Sequence, residues 1–170
     1  NKTTRQLEYH LLQPGVAGVE VNAVRLKENP DQAPTMVADI LTQVQTVYDQ
    51  GQTAVVYTSR QELTFADATS RLAFGEAISN LLMDIVRGLP AELGFLISKG
   101  GITSNDTLSN GLALTSARLL GQVIPGVSVV TTAADHPRYP SLPVVLFPGN
   151  VGGDDAVAAA YRRMAKLQDL

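Results

Sequence analysis

Two stretches carry the residue types from which a binding site for a small anion could be built. The first, "LISKGGITSNDT" (residues 96 to 107), runs from an apolar segment through Gly100 and Gly101 into Thr103, Ser104, Asn105 and Asp106. Glycines at a strand exit remove side chains where the backbone must turn sharply or meet a ligand closely, and hydroxyl or amide residues behind them suit a helix start. The chemistry this allows is a phosphate cradle of exposed N–H groups and a helix dipole. The same glycines also serve a plain tight turn ahead of a capped helix. Neither GxGxxG nor GxxxxGK[ST] occurs in the sequence, so neither a standard dinucleotide fold nor a P-loop is supported. The second stretch, "VVLFPGNVGGDDA" (144 to 156), repeats the pattern with Gly149, Gly152 and Gly153, and Asn150 adds a side chain that both donates and accepts.

Around these bends the chemistry is sparser. Lys99 could neutralise phosphate charge or simply end a strand in solvent. Ser59, in "YTSR", stands at another expected strand exit and could line the same cleft or just close a turn. Asp154 and Asp155 suit the cap and first turn of a closing helix better than a magnesium site, and no residue is assigned as a metal ligand. Asp106 is expected to support a helix N-terminus rather than to act as a base. His10, expected at the surface of a helix, and His136, in the loop "DHPRYP", lack recognisable partners for triad chemistry.

The elements that must hold these residues follow from hydrophobic periodicity. Leu7, Leu11 and Leu12 predict a short amphipathic helix over residues 2 to 13. Valines 19, 21 and 24 predict a strand ended by Asn29 and Pro30. Val37, Ile40, Leu41, Val44 and Val47 predict a helix over 34 to 50, stopped by Gly51. "TAVVYTSR" is a strand. The longest helix is expected over 67 to 88, where Leu72, Ile78, Leu81, Leu82, Ile85 and Val86 imply heavy burial. "GFLIS" then reads as a buried strand, "TSNDTLSNGLALTSARLL" as a weak helix interrupted by Gly111, "GQVIPGVSVVTT" as a broken strand pair or a bulged strand, "PVVLF" as another strand and "DDAVAAAYRRMAKLQ" as the closing helix.

Alternating strands and helices, with continuously apolar strands, predict an α/β fold: a mainly parallel sheet with helices on both faces, a three-layer Rossmann-like arrangement in a single domain over 1 to 170. Ligands in such sheets bind beyond the C-terminal strand ends, where both glycine bends are expected.

Composition narrows the partners. The 170 residues carry 13 Lys and Arg against 16 Asp and Glu, a formal charge of −3, with no basic cluster, which argues against nucleic-acid binding. No apolar run is long enough to span a membrane and no leader-like stretch precedes the fold, so a cytoplasmic location is expected. The absence of cysteine excludes disulfides, thiolate metal sites and cysteine nucleophiles. The chain starts at Asn1 rather than Met, which suggests a processed or excised piece.

"SKGGITSNDT", "GQVIPGVSVV" and "LPVVLFPGNVGG", in that order and supported by "KTTRQLE" and "VVYTSR", resemble the C-terminal nucleotide-binding domain of the four-carbon acid sugar kinases, which include 3-oxo-tetronate, threonate and erythronate kinases. The resemblance covers nearly the whole chain. It implies ATP, with Mg²⁺, held by Gly100, Gly101, Ile102, Thr103 and Ser104 and by Gly149, Asn150 and Gly152. It further implies a strand and Gly-Ser turn ahead of "KTT", and a separate N-terminal sugar-acid domain that supplies the catalytic base, so no residue of this chain is assigned as catalytic and the isolated chain is expected to be inactive. A possible homodimer is the expected assembly. The alternatives are a nucleotide- or phosphate-binding sensor without chemistry and a phosphosugar isomerase-like domain.

Overall fold

The computed structural model describes residues 1–168. Among them two compact units form, one from Asn1–Gln13 with residues 90–168 and the other from Pro14–Leu89.

The first unit begins with α1 (Lys2–Leu11), capped by the Asn1 side chain, which accepts the Thr4 N–H at 2.9 Å. Four strands follow in this unit: β3 (Leu96–Lys99), β4 (Arg118–Ile124), β5 (Val127–Thr131) and β6 (Pro143–Phe147). They form one sheet in the order β3-β6-β5-β4. Strands β3 and β6 run parallel, with Lys99 opposite Phe147, while β5 is antiparallel to both β6 and β4. Between β3 and β4 lie α5 (Gly101–Asp106) and a π-helical turn over Thr107–Gly111, and α6 (Ala156–Gln168) closes the unit.

The α/β class is as expected, but this sheet is mixed rather than mainly parallel. The reason is local. Ile124 pairs with Val127, leaving only Pro125 and Gly126 to turn the chain, and Gly126 has a φ of +79°. Proline followed by a left-handed glycine makes a reversal that is too short for a parallel crossover. "GQVIPGVSVV" is thus a hairpin, with β-bulges between Leu119 and Gly121 and between Gln122 and Ile124.

The core of this unit joins the sheet to α6. Val123, Val127, Val129, Val145 and Phe147 pack against Ala156, Val157, Ala160 and Met164. Complete burial of Val127, Val145 and Phe147 contributes about 2 kcal/mol for each side chain. The alanines of α6 let the helix backbone approach the strands closely. On α1 the expected face is displaced: Leu12 is 81% exposed, whereas Gln6 and His10 are buried. His10, expected at the surface, packs edge-on against Tyr161 with ring centroids 5.1 Å apart. Burial, and then the Arg162 guanidinium, lower its pKa below the ordinary histidine value.

The second unit contains β1 (Val16–Val21) and β2 (Thr53–Thr58), paired in parallel from Val16 opposite Thr53 to Val21 opposite Thr58. The crossover between them holds α2 (Ala23–Glu28), a 3-10 turn over Pro30–Gln32, and α3 (Ala33–Asp49). The strand predicted through Val24 stops at Val21, because the Asn22 side chain accepts the Arg25 N–H at 2.9 Å and starts α2. After β2 comes α4 (Ala68–Gly88), capped by Asp67, whose carboxylate accepts the Ser70 N–H at 2.7 Å. The heavy burial expected of α4 is confined to its second half. Leu81, Met83 and Ile85 are buried, whereas Leu72 is 70% exposed. Gly88 lets α3 and α4 touch, since a Cβ there would meet the Leu41 Cδ1 at 2.3 Å.

Candidate functional site

Pairing of β3 with β6 decides where the two bends lie. Lys99 and Phe147 end adjacent parallel strands, and neighbouring strands stand roughly 4.8 Å apart. The chain therefore leaves the sheet twice, side by side, at one edge. The Gly100 N–H donates to the Phe147 carbonyl at 2.8 Å, tying the first bend to the root of the second.

The glycines of these bends fall into two kinds. Gly100 and Gly152 have φ of +110° and +75°, a region that L side chains rarely adopt. At Gly152 a Cβ would also stand 2.3 Å from the Ala156 Cβ, so the start of α6 leaves no room there. Gly101 and Gly149 lack left-handed backbone, and nothing lies within 4 Å of where their Cβ atoms would be. Fold geometry explains the first pair. For the second pair the missing side chains leave open surface above the bends.

The first bend is braced from beneath. Helix α5 starts at Gly101, with Gly100 as its cap and no side-chain cap bond, so Thr103, Ser104, Asn105 and Asp106 lie within the helix rather than ahead of it. Ser104 is buried. Its N–H donates to the Gly100 carbonyl at 2.8 Å and its hydroxyl to the Ser98 carbonyl at 3.1 Å. The Thr107 hydroxyl reaches the Thr103 carbonyl at 2.7 Å and lies 3.0 Å from the Ser98 hydroxyl. These bonds hold α5 on β3, while Ile102 projects outward, 81% exposed. The helix predicted through Gly111 ends there, and "RLL" (118 to 120) belongs to β4 instead.

Helix α1 braces the second bend. The buried Gln6 side-chain amide donates to the carbonyls of Val151 at 2.9 Å and Gly153 at 2.8 Å. Arg5 Nε meets both carboxylate oxygens of Asp154, at 3.0 and 3.2 Å. Lys2 Nζ donates to the Asn150 carbonyl at 3.1 Å. Val151 of this loop lies against the Gly126 turn, its Cγ1 at an ordinary contact distance, 3.5 Å, from where a Cβ would stand. Asp154, expected as a helix cap, thus carries an exposed ion pair, worth less than about 1 kcal/mol. Sequence reasoning passed over Lys2, Arg5 and Gln6. Polar Gln6 and His10, four residues apart on one helical face, gave no local sign of burial, because such residues usually face solvent.

The remaining candidates are accounted for locally. The Ser59 hydroxyl accepts the Ala23 N–H at 3.0 Å, and its own N–H donates to the Val21 carbonyl at 2.9 Å, so it fixes the turns after β1 and β2. His136 Nδ1 accepts the Tyr139 N–H at 2.9 Å, which leaves Nε2 to donate to the Leu112 carbonyl at 2.8 Å. That ring orders its loop. Among the described residues no group of three or more His, Cys, Asp or Glu stands together as a metal site, and no helix is long and apolar enough to cross a membrane.

Residues 1–157 match the family model of a nucleotide-binding C-terminal domain. No curated protein matches the chain. Two crystal forms of a domain of unknown function (DUF1537) from Bordetella bronchiseptica, both domain-swapped dimers with bound citrate, have the same fold. One superposes with a TM-score of 0.68 at 20% identity and the other with 0.56 at 19%. Each alignment covers 96% of this chain but only 38% and 36% of those chains.

Proposed function

Because the chain belongs to the four-carbon acid sugar kinase family, as its nucleotide-binding C-terminal domain, we propose that it holds ATP for transfer of the γ-phosphoryl group to a hydroxyl of a four-carbon sugar acid. One observation carries this reading. The bends at Gly100 to Ser104 and Gly149 to Gly152 leave neighbouring parallel strands at one sheet edge, where α/β sheets bind ligands.

In this arrangement the phosphates approach the backbone at Gly101 and Gly149, where nothing lies within 4 Å of the Cβ positions. Ile102 offers an apolar surface to a base. The Asn150 carboxamide can pair with ribose or base. Ser104 and Thr103 act through the frame, holding the first bend in shape. Mg²⁺, a hard cation that usually keeps several waters, would be carried on the phosphate oxygens, which suits a bend lacking a dedicated carboxylate cluster.

Phosphoryl transfer then needs little covalent chemistry from the protein. The acceptor hydroxyl oxygen bonds to the γ-phosphorus, the bond from that phosphorus to the β,γ-bridging oxygen breaks, ADP departs, and the hydroxyl proton passes to a base. We assign that base and the sugar-acid pocket to a separate N-terminal domain of the same polypeptide, consistent with a chain that spans about two fifths of the solved structures it matches. A homodimer in the cytoplasm is the assembly that goes with this reading.

The test compares this chain with the full-length protein in a coupled ADP-release assay against tetronates and 3-oxo-tetronates. Turnover by the full-length protein and none by the chain alone is the expected pattern. ATP binding by both, with no sugar acid phosphorylated by either, would favour a nucleotide sensor instead.

A further inference from the structure

Two ammonium groups converge on the second bend without an acidic partner. Lys99 Nζ lies 3.4 Å from both the Pro148 and the Gly149 carbonyl oxygens and 4.8 Å from the centre of the Phe147 ring. Lys2 Nζ donates to the next carbonyl, that of Asn150, at 3.1 Å. Three consecutive carbonyls thus draw in two cations. Among the described residues neither ammonium lies within 4.0 Å of a carboxylate.

The arrangement is electrostatically incomplete. Contacts of 3.4 Å are longer than good N–H···O hydrogen bonds, and a ring face offers only weak attraction to a cation. Burial, and then the nearby Lys2 charge, lower the Lys99 pKa below the ordinary lysine value, so Lys99 holds its charge against two costs, burial and its neighbour. A polyanion placed between them would relieve both costs at once. It would gain charge-assisted bonds at the bend where the open surface of Gly149 already allows close approach.

We infer that Lys99 and Lys2 form a two-lysine clamp that selects nucleotides by their terminal phosphates, favouring tri- and diphosphates over monophosphates. This rests on the proposed nucleotide site and adds to it the groups that read phosphate number. Backbone amides at the bends bind any phosphate, whereas a pair of separated ammonium groups rewards each further negative charge.

Calorimetric titrations of the chain with ATP, ADP and AMP test the clamp, using Lys99→Met, Lys2→Met and Lys99→Arg. Lys99→Met is expected to weaken ATP binding by about tenfold or more and AMP binding by no more than about twofold. Lys2→Met should act in the same direction with a smaller effect, because its side chain is exposed. Lys99→Arg, which keeps the charge, should recover most of the ATP affinity. That recovery separates charge from a merely structural contribution. Equal losses for all three nucleotides, or no loss with ATP, would overturn the clamp. If the unaltered chain binds no nucleotide, the proposed function fails, and inorganic triphosphate then decides the clamp independently. Triphosphate binding that Lys99→Met weakens would sustain the clamp, and absence of triphosphate binding would end it.

Discussion

Gly152→Ala is expected to cost about 3 kcal/mol of folding stability, summing a left-handed backbone penalty and overpacking, and so to lower the melting temperature by roughly 6–12 °C. Both causes are visible at that position: a φ of +75°, and an Ala156 Cβ at 2.3 Å from the added carbon. The atom that must yield is fixed to a buried turn of α6, not to the end of a flexible side chain. Relief therefore has to come from shifting the loop between Gly149 and Gly153, which Gln6 and Arg5 clamp at its far end. Thermal unfolding followed by circular dichroism checks the cost. A melting temperature unchanged within about a degree would show that α6 and its loop adjust freely.

Gly101→Val should do the opposite. No atom lies within 4 Å of a Cβ at that position and the backbone is not left-handed, so stability should change by less than about 0.5 kcal/mol. ATP affinity, however, is expected to fall by about tenfold or more, because a branched side chain would occupy the surface that the phosphates approach. Calorimetry read beside a melting curve separates the two effects. Undiminished ATP binding in a folded Gly101→Val chain would remove this glycine from the site. Together the substitutions divide the glycines into those that shape the loop and those that leave it open, a division that the sequence alone does not contain.

The strand exits were legible because each apolar run ends abruptly in glycine: "LISK" before Gly100 and "VVLF" before Pro148 and Gly149. That β3 and β6 are also neighbours was not legible. They are separated by α5, a π-helical turn, a hairpin and a loop, and strand order depends on long-range pairing that no local pattern encodes. The mixed character of the sheet was half visible. "VIPGV" carries the turn that makes β4 and β5 antiparallel, but continuous apolar strands suggested a parallel sheet in general.

Two other misreadings share a cause. Periodicity registers which face of a helix is apolar, yet the face that packs is set by what lies opposite. On α1 that face contains Gln6, which finds two loop carbonyls, and His10, which finds Tyr161. On α4 the same arithmetic counted Leu72 as core although it stands in solvent. Likewise the hydroxyls of "TSND" suggested a cap, but a glycine with a φ of +110° already starts the helix, which frees Ser104 to bind the Ser98 carbonyl beneath the bend.

The central claim is that one nucleotide touches both bends. Backbone amide resonances recorded while the chain is titrated with Mg²⁺ and a non-hydrolysable ATP analogue test it most directly. The expected result is that the largest shifts fall together, with one common affinity, on residues 100 to 104 and 149 to 152. Saturable binding that leaves both segments unmoved, or moves only one of them, would contradict it.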